Sequence, residues 1–362
     1  MTAIDLNADI VTLTAALIDI PSVSHDEGHL ADLVHAALVT VPALQVTRLG
    51  NSLVARTMRG TDERVLLAGH LATVPPAENL PHRLEDGVLF GLGSVDMKGG
   101  VAIMLQLAGL LARDGESALG DRDLTFVFYE CEEVASEFNG LERIVQEHPE
   151  LLACTAAVLL EPTGGLVEAG CQGTLRVEVD VPGKRAHSAR SWLGVNAVHR
   201  AREVLDRLDR YQPRRVMIDG LEYREGLNAV AIAGGIAGNV IPDSCRVTVN
   251  YRFAPERSVD QAVHHVREVF AGFDVRVVDA APGAMPGLDL DVIADVVAMV
   301  GEPPRAKLGW TDVARFSALG TPALNFGPGD PALAHAAAEA VPVAQLTECA
   351  EVLRRWLFTR RA

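Results

Sequence analysis

The hydrophobic pattern of the first half of the chain predicts helices alternating with buried strands. Apolar residues recur at helical spacing in 5–20, 27–38 and 97–113. Short apolar runs typical of strands occupy 46–49, 52–57, 64–69, 124–129 and 156–160. Because strands buried on both faces form such runs, this order predicts an α/β domain with a mostly parallel sheet covered by helices.

The pattern changes after Gly173. Strands are predicted at 175–181, 230–235, 245–252 and 274–278, with helices at 196–210 and 259–270. This β-α-β-β-α-β order is that of a split βαβ sandwich. The earlier pattern returns from about Pro286, with a strand at 322–326 and a helix at 343–358. We therefore predict an α/β domain of residues 1–173 and 284–362, interrupted by an inserted α+β domain of residues 174–283.

Six residues are of types that bind metals, and most of them lie where predicted strands end. They are His70, Asp96, Glu132, Glu133, Glu161 and His335. Asp96 lies instead at a glycine-flanked turn before a helix, and His335 lies in a loop. Since ligands bind beyond the carboxyl ends of parallel strands, we expect these side chains to converge. Imidazoles and carboxylates without a thiolate suit zinc, cobalt or manganese.

Each of these residues has an ordinary structural explanation when it is taken singly. A histidine after an apolar strand is often structural, and adjacent glutamates are usually solvated. Asp96 and Glu161 are also residue types that cap helices or form turns. A metal site is favoured by the whole set and its shared position at strand ends.

Composition limits the classes of partner. The net charge of −16 opposes binding to nucleic acid or to an anionic membrane surface. No apolar run reaches the roughly 18 residues needed to span a bilayer, and the first residues lack the pattern of an export signal. The five cysteines include no CxxC pair, which fits reduced thiols. We expect a cytoplasmic protein.

A series of motifs resembles, in order, those of the di-zinc aminoacylase/carboxypeptidase family of amidohydrolases. The motifs lie at 69–71, 94–100, 129–133, 161–163, 168–174, 185–194, 238–243 and 309–312. The likeness covers nearly the whole chain. It implies a di-metal hydrolase domain interrupted by a lid or dimerisation domain, and a homodimer formed through that inserted domain.

The resemblance also implies a role for each matching residue. Two divalent ions, zinc first and cobalt as the alternative, are expected. One ion would be bound by His70, Asp96 and Glu161, and the other by Asp96, Glu133 and His335. Glu132 would be the general acid and base, and His187 would stabilise the oxyanion, usually in the partner subunit's active site. The substrate contacts would be Asn239 and Arg252, with Arg190 and Thr311 as weaker ones.

The implied activity is hydrolysis of an N-acyl amino acid. By resemblance the expected substrate is N-succinyl-LL-2,6-diaminopimelate, which would give succinate and LL-2,6-diaminopimelate in lysine biosynthesis. One alternative is deacetylation of acetylornithine, or another N-acyl amino acid hydrolase or carboxypeptidase activity. A second alternative, of another class, is an inactive metal-binding interaction protein.

The chain departs from the family pattern after the first ligand. The family motif is His-x-Asp, whereas this chain has His70, Leu71 and Ala72. Loss of a carboxylate that orients a ligand histidine typically reduces metal affinity or activity roughly 10–100-fold. The sequence therefore predicts a weakened enzyme or an inactivated variant, and activity should rise in Ala72→Asp.

Overall fold

The computed structural model describes residues 3–358. Its helices are α1 (Ile10–Ile18), α2 (Gly28–Leu38), α3 (Lys98–Asp114), α4 (Gly140–Glu147), α5 (Ala197–Arg200), α6 (Arg202–Asp209), α7 (Val259–Val269), α8 (Asp291–Val300), α9 (Val313–Ala318) and α10 (Val343–Phe358). Across these residues, every helix is too short or too polar to cross a membrane.

The strands follow the predicted order, with several short additions. They are β1 (Gln45–Leu49), β2 (Ser52–Arg56), β3 (Glu63–His70), β4 (Arg83–Glu85), β5 (Val88–Phe90), β6 (Arg122–Tyr129), β7 (Ala156–Leu159), β8 (Glu168–Ala169), β9 (Gly173–Pro182), β10 (Ala186–His187), β11 (Arg215–Ile218), β12 (Leu221–Arg224), β13 (Gly226–Gly234), β14 (Val240–Ile241), β15 (Ser244–Phe253), β16 (Asp274–Ala281), β17 (Arg305–Ala306), β18 (Ala323–Asn325) and β19 (Ala340–Pro342).

The chain forms two compact units. The first comprises the described residues up to Ala169, Gly287–Arg305 and the described residues from Arg315 onward. The second comprises Gly170–Pro286 and Ala306–Ala314. The catalytic role of the first unit and the lid or dimerisation role of the second stay predictions.

The first unit is built on a mixed sheet with the strand order β1-β2-β6-β3-β7-β18-β8-β17. Its centre is parallel, because β3 pairs in parallel with β6 and β7, and β7 with β18. The predicted α/β class with mostly parallel strands is therefore confirmed. Residues Val65–His70 at the end of β3 are all buried, as expected for a central strand.

Helix α3 packs closely against this sheet and thereby places the turn that precedes it. A Cβ atom at Gly100 would overlap the carbonyl oxygen of Leu160, just after β7. A Cβ atom at Gly69 would lie 2.8 Å from the Cε atom of Met97. Glycine at both positions lets α3 approach the strand ends, so Asp96 lies beside them.

The second unit contains an antiparallel sheet with the order β13-β15-β9-β16. One face carries alternate apolar residues of β9 and β15, which are buried with residues of α5, α6 and α7. The predicted β-α-β-β-α-β order is present, although the predicted helix 196–210 is two helices. The hairpin of β11 and β12 was not predicted from the sequence.

Candidate metal centre

Three of the predicted ligands converge at one edge of the first unit's sheet. The ligand atoms of His70, Asp96 and Glu133 all lie within 4.8 Å of one another. His70 is the last residue of β3, and Glu133 follows the neighbouring parallel strand β6. Because adjacent parallel strands end at the same edge, their following residues meet there, as the sequence suggested.

The carboxylate of Asp96 lies between two imidazoles. Its Oδ1 atom is 3.1 Å from Nε2 of His70, and its Oδ2 atom is 3.4 Å from Nε2 of His335. The same His335 nitrogen lies 3.0 Å from Oε1 of Glu133. Each oxygen of Asp96 thus faces a different histidine, which is the arrangement suited to a carboxylate shared by two cations.

His335 reaches this position through an uncommon backbone conformation. Its φ angle is 63°, in the left-handed region that residues with a side chain rarely adopt. Such a conformation costs free energy and persists where the surrounding structure enforces it, often at functional sites. The exposed loop at His335 is therefore shaped to direct the imidazole towards Asp96.

Glu161 and Glu132 add negative charge near the group formed by His70, Asp96, Glu133 and His335. Glu161 is buried and follows β7, the other parallel neighbour of β3. Glu132 is half-buried next to Glu133. The negative charges of Glu161 and Glu132 both contribute to raising the pKa of His70, so both carboxylates lie near that imidazole.

The pKa values in this group are shifted because several carboxylates surround two imidazoles. Burial alone would lower the pKa of His70, but the hydrogen bond and charge of Asp96 raise it well above its usual value. The hydrogen bond to Asp96 and the charge of Glu133 raise the pKa of His335 to about 9. Burial raises the pKa of Glu133. Without cations, protons on the two imidazoles would therefore offset part of the negative charge of the carboxylates.

The donor set fits a pair of divalent cations. It offers two imidazoles and three carboxylates, and a cation would replace the imidazole protons as the neutralising charge. The ring of His70 is already oriented for this purpose. Its Nδ1 atom lies 2.9 Å from the carbonyl oxygen of Ala72, which only accepts hydrogen bonds. Nδ1 therefore carries a hydrogen, and Nε2, which faces Asp96, is the nitrogen that would bind a cation once its own proton has left.

Glu339 holds the Asp96 turn, a role that the sequence analysis did not assign. Its carboxylate accepts hydrogen bonds from the backbone N–H groups of Gly93 (2.9 Å), Val95 (2.9 Å) and Asp96 (3.0 Å). Its side chain is buried. Because Glu339 follows His335 by four residues, it connects the His335 loop to the Asp96 turn. That short spacing between a ligand and an acid was the available signal.

Lys98, which follows the Asp96 turn, is a second residue to which the sequence analysis assigned no role. It is fully buried in the first turn of α3, and its Nζ atom donates to the carbonyl oxygen of Ile20 at 2.6 Å. Burial lowers its pKa to about 7, although the charges of Glu339 and Asp19 oppose this shift. A lysine at the start of an otherwise apolar helix was the signal in the sequence.

The remaining predicted residues lie in the second unit, in separate places. His187 and Asn239 are neighbours, because β10 pairs with β14 and the N–H of Ser188 donates to the Asn239 carbonyl at 2.9 Å. Arg190 lies in the short 3-10 segment that follows. Arg252 lies on β15, and Thr311 is buried near Cys171. Their roles in binding or catalysis stay predictions.

The imidazole of His187 has a defined tautomer. Its Nδ1 atom accepts a hydrogen bond from the backbone N–H of Ala189 at 3.0 Å. In the neutral ring, the hydrogen therefore lies on Nε2. Because His187 is an exposed residue, Nε2 could donate a hydrogen bond to a bound group.

The α/β fold with a carboxylate between two imidazoles is that of a metal-dependent hydrolase. The chain belongs to peptidase family M20/M25/M40, whose family model matches residues 66–359. It is 55% identical over 357 residues to the "Putative succinyl-diaminopimelate desuccinylase DapE" of Mycobacterium tuberculosis, covering 98% of this chain and 99% of the relative. It is 49% identical to the succinyl-diaminopimelate desuccinylase of Corynebacterium glutamicum, covering 98% and 97%. The resemblance found from the motifs is confirmed.

Solved structures share the fold at low sequence identity. A tripeptidase from Staphylococcus aureus has a TM-score of 0.79 at 20% identity, covering 98% of both chains. The YXEP protein of Bacillus subtilis, described as a dinuclear metal binding peptidase, has a TM-score of 0.71 at 16% identity, covering 96% of both chains. At these identities the likeness concerns the fold alone.

Proposed function

We propose that this protein hydrolyses N-succinyl-LL-2,6-diaminopimelate to succinate and LL-2,6-diaminopimelate, a step of lysine biosynthesis. The observation that carries the proposal is the 55% and 49% identity, over nearly the whole chain, to relatives named for this activity. The arrangement around Asp96 supports it, because hydrolysis of an unactivated amide needs strong polarisation of the carbonyl and of water.

Two zinc ions are proposed as the cofactors, with cobalt as the alternative. His70, Asp96 and Glu161 would hold one ion, and Asp96, Glu133 and His335 the other. When bound, such ions polarise the amide carbonyl and lower the pKa of water. The donor set supports this choice, because imidazole and carboxylate ligands without thiolate suit zinc and cobalt.

The remaining steps are assigned to side chains of the protein. Glu132 takes a proton from the attacking water and passes it to the leaving amine nitrogen. His187 donates the hydrogen on Nε2 to the developing oxyanion. Arg252 pairs with a substrate carboxylate, for which a planar guanidinium is suited. Asn239, Arg190 and Thr311 complete the proposed substrate contacts.

Two features support further proposals about the protein's state. We propose a homodimer formed through β13, an edge strand whose residues Val230 and Ile232 are 59% and 53% exposed. Exposed apolar edge strands are typical of surfaces that pair with another chain.

We also propose a cytoplasmic location, with which five unpaired cysteines are compatible.

Hydrolysis assays with the zinc-loaded protein test the proposed activity. N-succinyl-LL-2,6-diaminopimelate should be cleaved with a higher kcat/KM than acetylornithine or other N-acyl amino acids. Acetylornithine is the required comparison, because the chain is also 31% identical over 309 residues to the acetylornithine deacetylase of Myxococcus xanthus. A preference for acetylornithine would contradict the proposed substrate.

A variant separates catalysis from metal binding. Glu132→Gln should lose turnover by roughly 100-fold or more, because a general acid and base has been removed, while zinc binding is retained. Glu137→Gln, at an exposed glutamate a few residues away, is the matched control and should keep its activity. Bound zinc without hydrolysis of any substrate in the wild type would favour an inactive interaction protein instead.

A further inference from the structure

A second cluster of metal-ligating side chains lies in the first unit. It consists of Glu27, Glu130 and Cys131, which are all buried and whose ligand atoms lie within 4.8 Å of one another. None of these side chains belongs to the His70, Asp96 and Glu133 group. Unlike that group, the cluster contains a thiol, so it suits a softer cation.

Glu27 has a carboxylate oxygen for which the described residues provide no hydrogen-bond partner. Its side chain is 0% exposed. Its Oε1 atom accepts from the backbone N–H of Cys131 at 2.8 Å, whereas Oε2 has no hydrogen bond of good geometry within residues 3–358, although the Cys131 thiol lies close to the carboxylate. A buried carboxylate oxygen without a partner is unfavourable and calls for a ligand. A cation beside Cys131 would provide one.

His25 stands at the solvent side of the cluster. Its Nδ1 atom lies 3.5 Å from Sγ of Cys131. A tetrahedral zinc ion, with bonds of about 2.3 Å to sulfur and about 2.1 Å to nitrogen, would separate these two atoms by roughly 3.6 Å. The spacing therefore matches two ligands of one ion. Because His25 itself is exposed, a cation has a path to the buried thiol.

The backbone and a neighbouring ring hold these two residues in place. His25 and Cys131 both have left-handed backbone conformations, with φ angles of 77° and 57°. The ring of His25 packs edge-on against Phe138, with the ring centroids 5.0 Å apart. Such conformations in residues with side chains persist where the fold enforces them, and they are often found at functional sites.

Glu130 is the weakest of the candidate ligands. Its Oε1 atom is already paired with the Arg143 guanidinium at 2.5 Å. The principal donors are therefore Sγ of Cys131, Oε2 of Glu27 and Nδ1 of His25. The second oxygen of Glu130, or a water molecule, would complete a four-coordinate site.

We propose that His25, Glu27 and Cys131 form a third cation site, selective for thiophilic divalent cations such as zinc and cadmium. Binding forms a metal–sulfur bond and releases the thiol proton to solvent. Cys131 directly precedes Glu132 and Glu133 in the chain, so this cation would lie next to the segment that carries the proposed catalytic acid. The proposal does not depend on which amide the protein hydrolyses.

Cadmium titration of the full-length protein carrying two equivalents of zinc, which leaves a third site open, tests the proposal. Thiolate bound to cadmium gives a charge-transfer absorption in the ultraviolet. The ligands around Asp96 include no thiolate, so cadmium entering that site would give no such band. We expect the band to saturate at one equivalent of cadmium. It should be absent in Cys131→Ser and retained in Cys154→Ser, the matched control at a half-buried thiol.

Two further variants keep the test decisive if Cys131→Ser does not fold. Glu27→Gln retains an oxygen that can accept from the Cys131 N–H but removes the negative charge, and His25→Ala removes the nitrogen ligand. Each should weaken cadmium binding roughly tenfold or more. Three results would overturn the proposal. They are the absence of the band in the wild type, a band that persists in Cys131→Ser, and an unchanged cadmium affinity in Glu27→Gln.

Discussion

The Nδ1 atom of His70 lies 2.9 Å from the carbonyl oxygen of Ala72. This backbone carbonyl orients the imidazole at the position where the family motif has an aspartate. The hydrogen bond is therefore kept, although the negative charge is lost. Metal binding should accordingly be weakened less than it would be by removing the partner of the imidazole altogether.

Ala72→Asp should raise the zinc affinity of the protein by about tenfold, the lower end of the usual effect of such a carboxylate. Competition with a chelator measures the affinity directly. Ala77→Asp adds the same charge at an exposed position of the following loop and should leave zinc binding unchanged. An equal gain in both variants would show that net charge, rather than contact with His70, is responsible.

Glu339→Gln should disturb the Asp96 turn. The buried carboxylate accepts three backbone hydrogen bonds, and a glutamine amide would turn its own N–H groups towards at least one of these donors. We expect the free energy of unfolding of the metal-free protein to fall by about 1–3 kcal/mol. Zinc affinity should fall as well, because the turn positions Asp96.

Thermal unfolding and chelator competition measure these two effects of Glu339→Gln separately. Glu348→Gln, at an exposed glutamate of α10, is the control and should change neither quantity. A loss of stability in Glu339→Gln without any loss of zinc affinity would contradict a positioning role.

The sequence pattern located the candidate ligands better than the groups that orient them. His70, Glu133 and Glu161 were found because apolar runs identify parallel strands, and such strands end at one edge. The Ala72 carbonyl and the amides bound by Glu339 are backbone groups, whose directions depend on loop conformation rather than residue type. Side-chain patterns therefore carry no signal for these backbone groups, although the four-residue spacing from His335 was a signal for Glu339 itself.

The missed hairpin of β11 and β12 did have a local signal. Asp219 and Gly220 connect its strands, and both have positive φ angles, 51° and 80°. Asp-Gly between two short strands is typical of a two-residue hairpin turn. The strands are only four residues each, so their apolar pattern alone was too short to indicate them.

Asp123 should make the free energy of unfolding depend on pH in the acidic range. The buried carboxylate accepts hydrogen bonds from the Thr57 hydroxyl (2.6 Å) and from the N–H groups of Arg59, Gly60 and Thr61. Burial alone would raise its pKa, but these hydrogen bonds and the charge of Arg64 hold the pKa below its usual value. The stabilisation is thus present above about pH 4 and is lost as the pH falls further.

Asp123→Asn should lower the free energy of unfolding at pH 7 by about 1–3 kcal/mol, and this difference should shrink in acid. Denaturant unfolding at several pH values between about 7 and 3 measures both effects. Asp121→Asn, at an exposed neighbour, serves as the control. A difference that grows towards acid would have the wrong sign and would contradict the assignment.

Arg252 should bind a substrate carboxylate. It lies on β15 with its side chain on the face opposite the apolar core, beside Arg176 of β9. Burial and the charge of Arg176 lower its pKa. A half-buried guanidinium next to another cation is well placed to bind an anion.

Arg252→Gln should lower kcat/KM for the succinylated substrate roughly 10–100-fold, which is the expected loss of one hydrogen bond to a charged group. Most of this loss should appear as a higher KM. Arg246→Gln is the control on the same strand, because Arg246 is already paired with Glu178 and Asp180. Equal losses in both variants would indicate a general effect of charge on the sheet.

The proposed homodimer can be tested at the edge strand β13. The wild-type protein should have about twice the mass of one chain by light scattering. Ile232→Lys places a charge on an exposed apolar residue of β13, and such charges prevent edge-to-edge pairing of strands. We therefore expect this variant to be monomeric at the same protein concentration, with an unchanged thermal unfolding profile for the second unit's core.

Val278→Lys is the matched control for Ile232→Lys, because Val278 is an exposed apolar residue of β16, the opposite edge strand of the same sheet. This variant should remain dimeric. If Val278→Lys dissociates while Ile232→Lys does not, the interface lies at the other edge. If the wild type is itself monomeric, the exposed apolar residues of β13 have another role. Either result would contradict dimerisation through β13, because that interface requires Ile232 to be covered by a second copy of the chain.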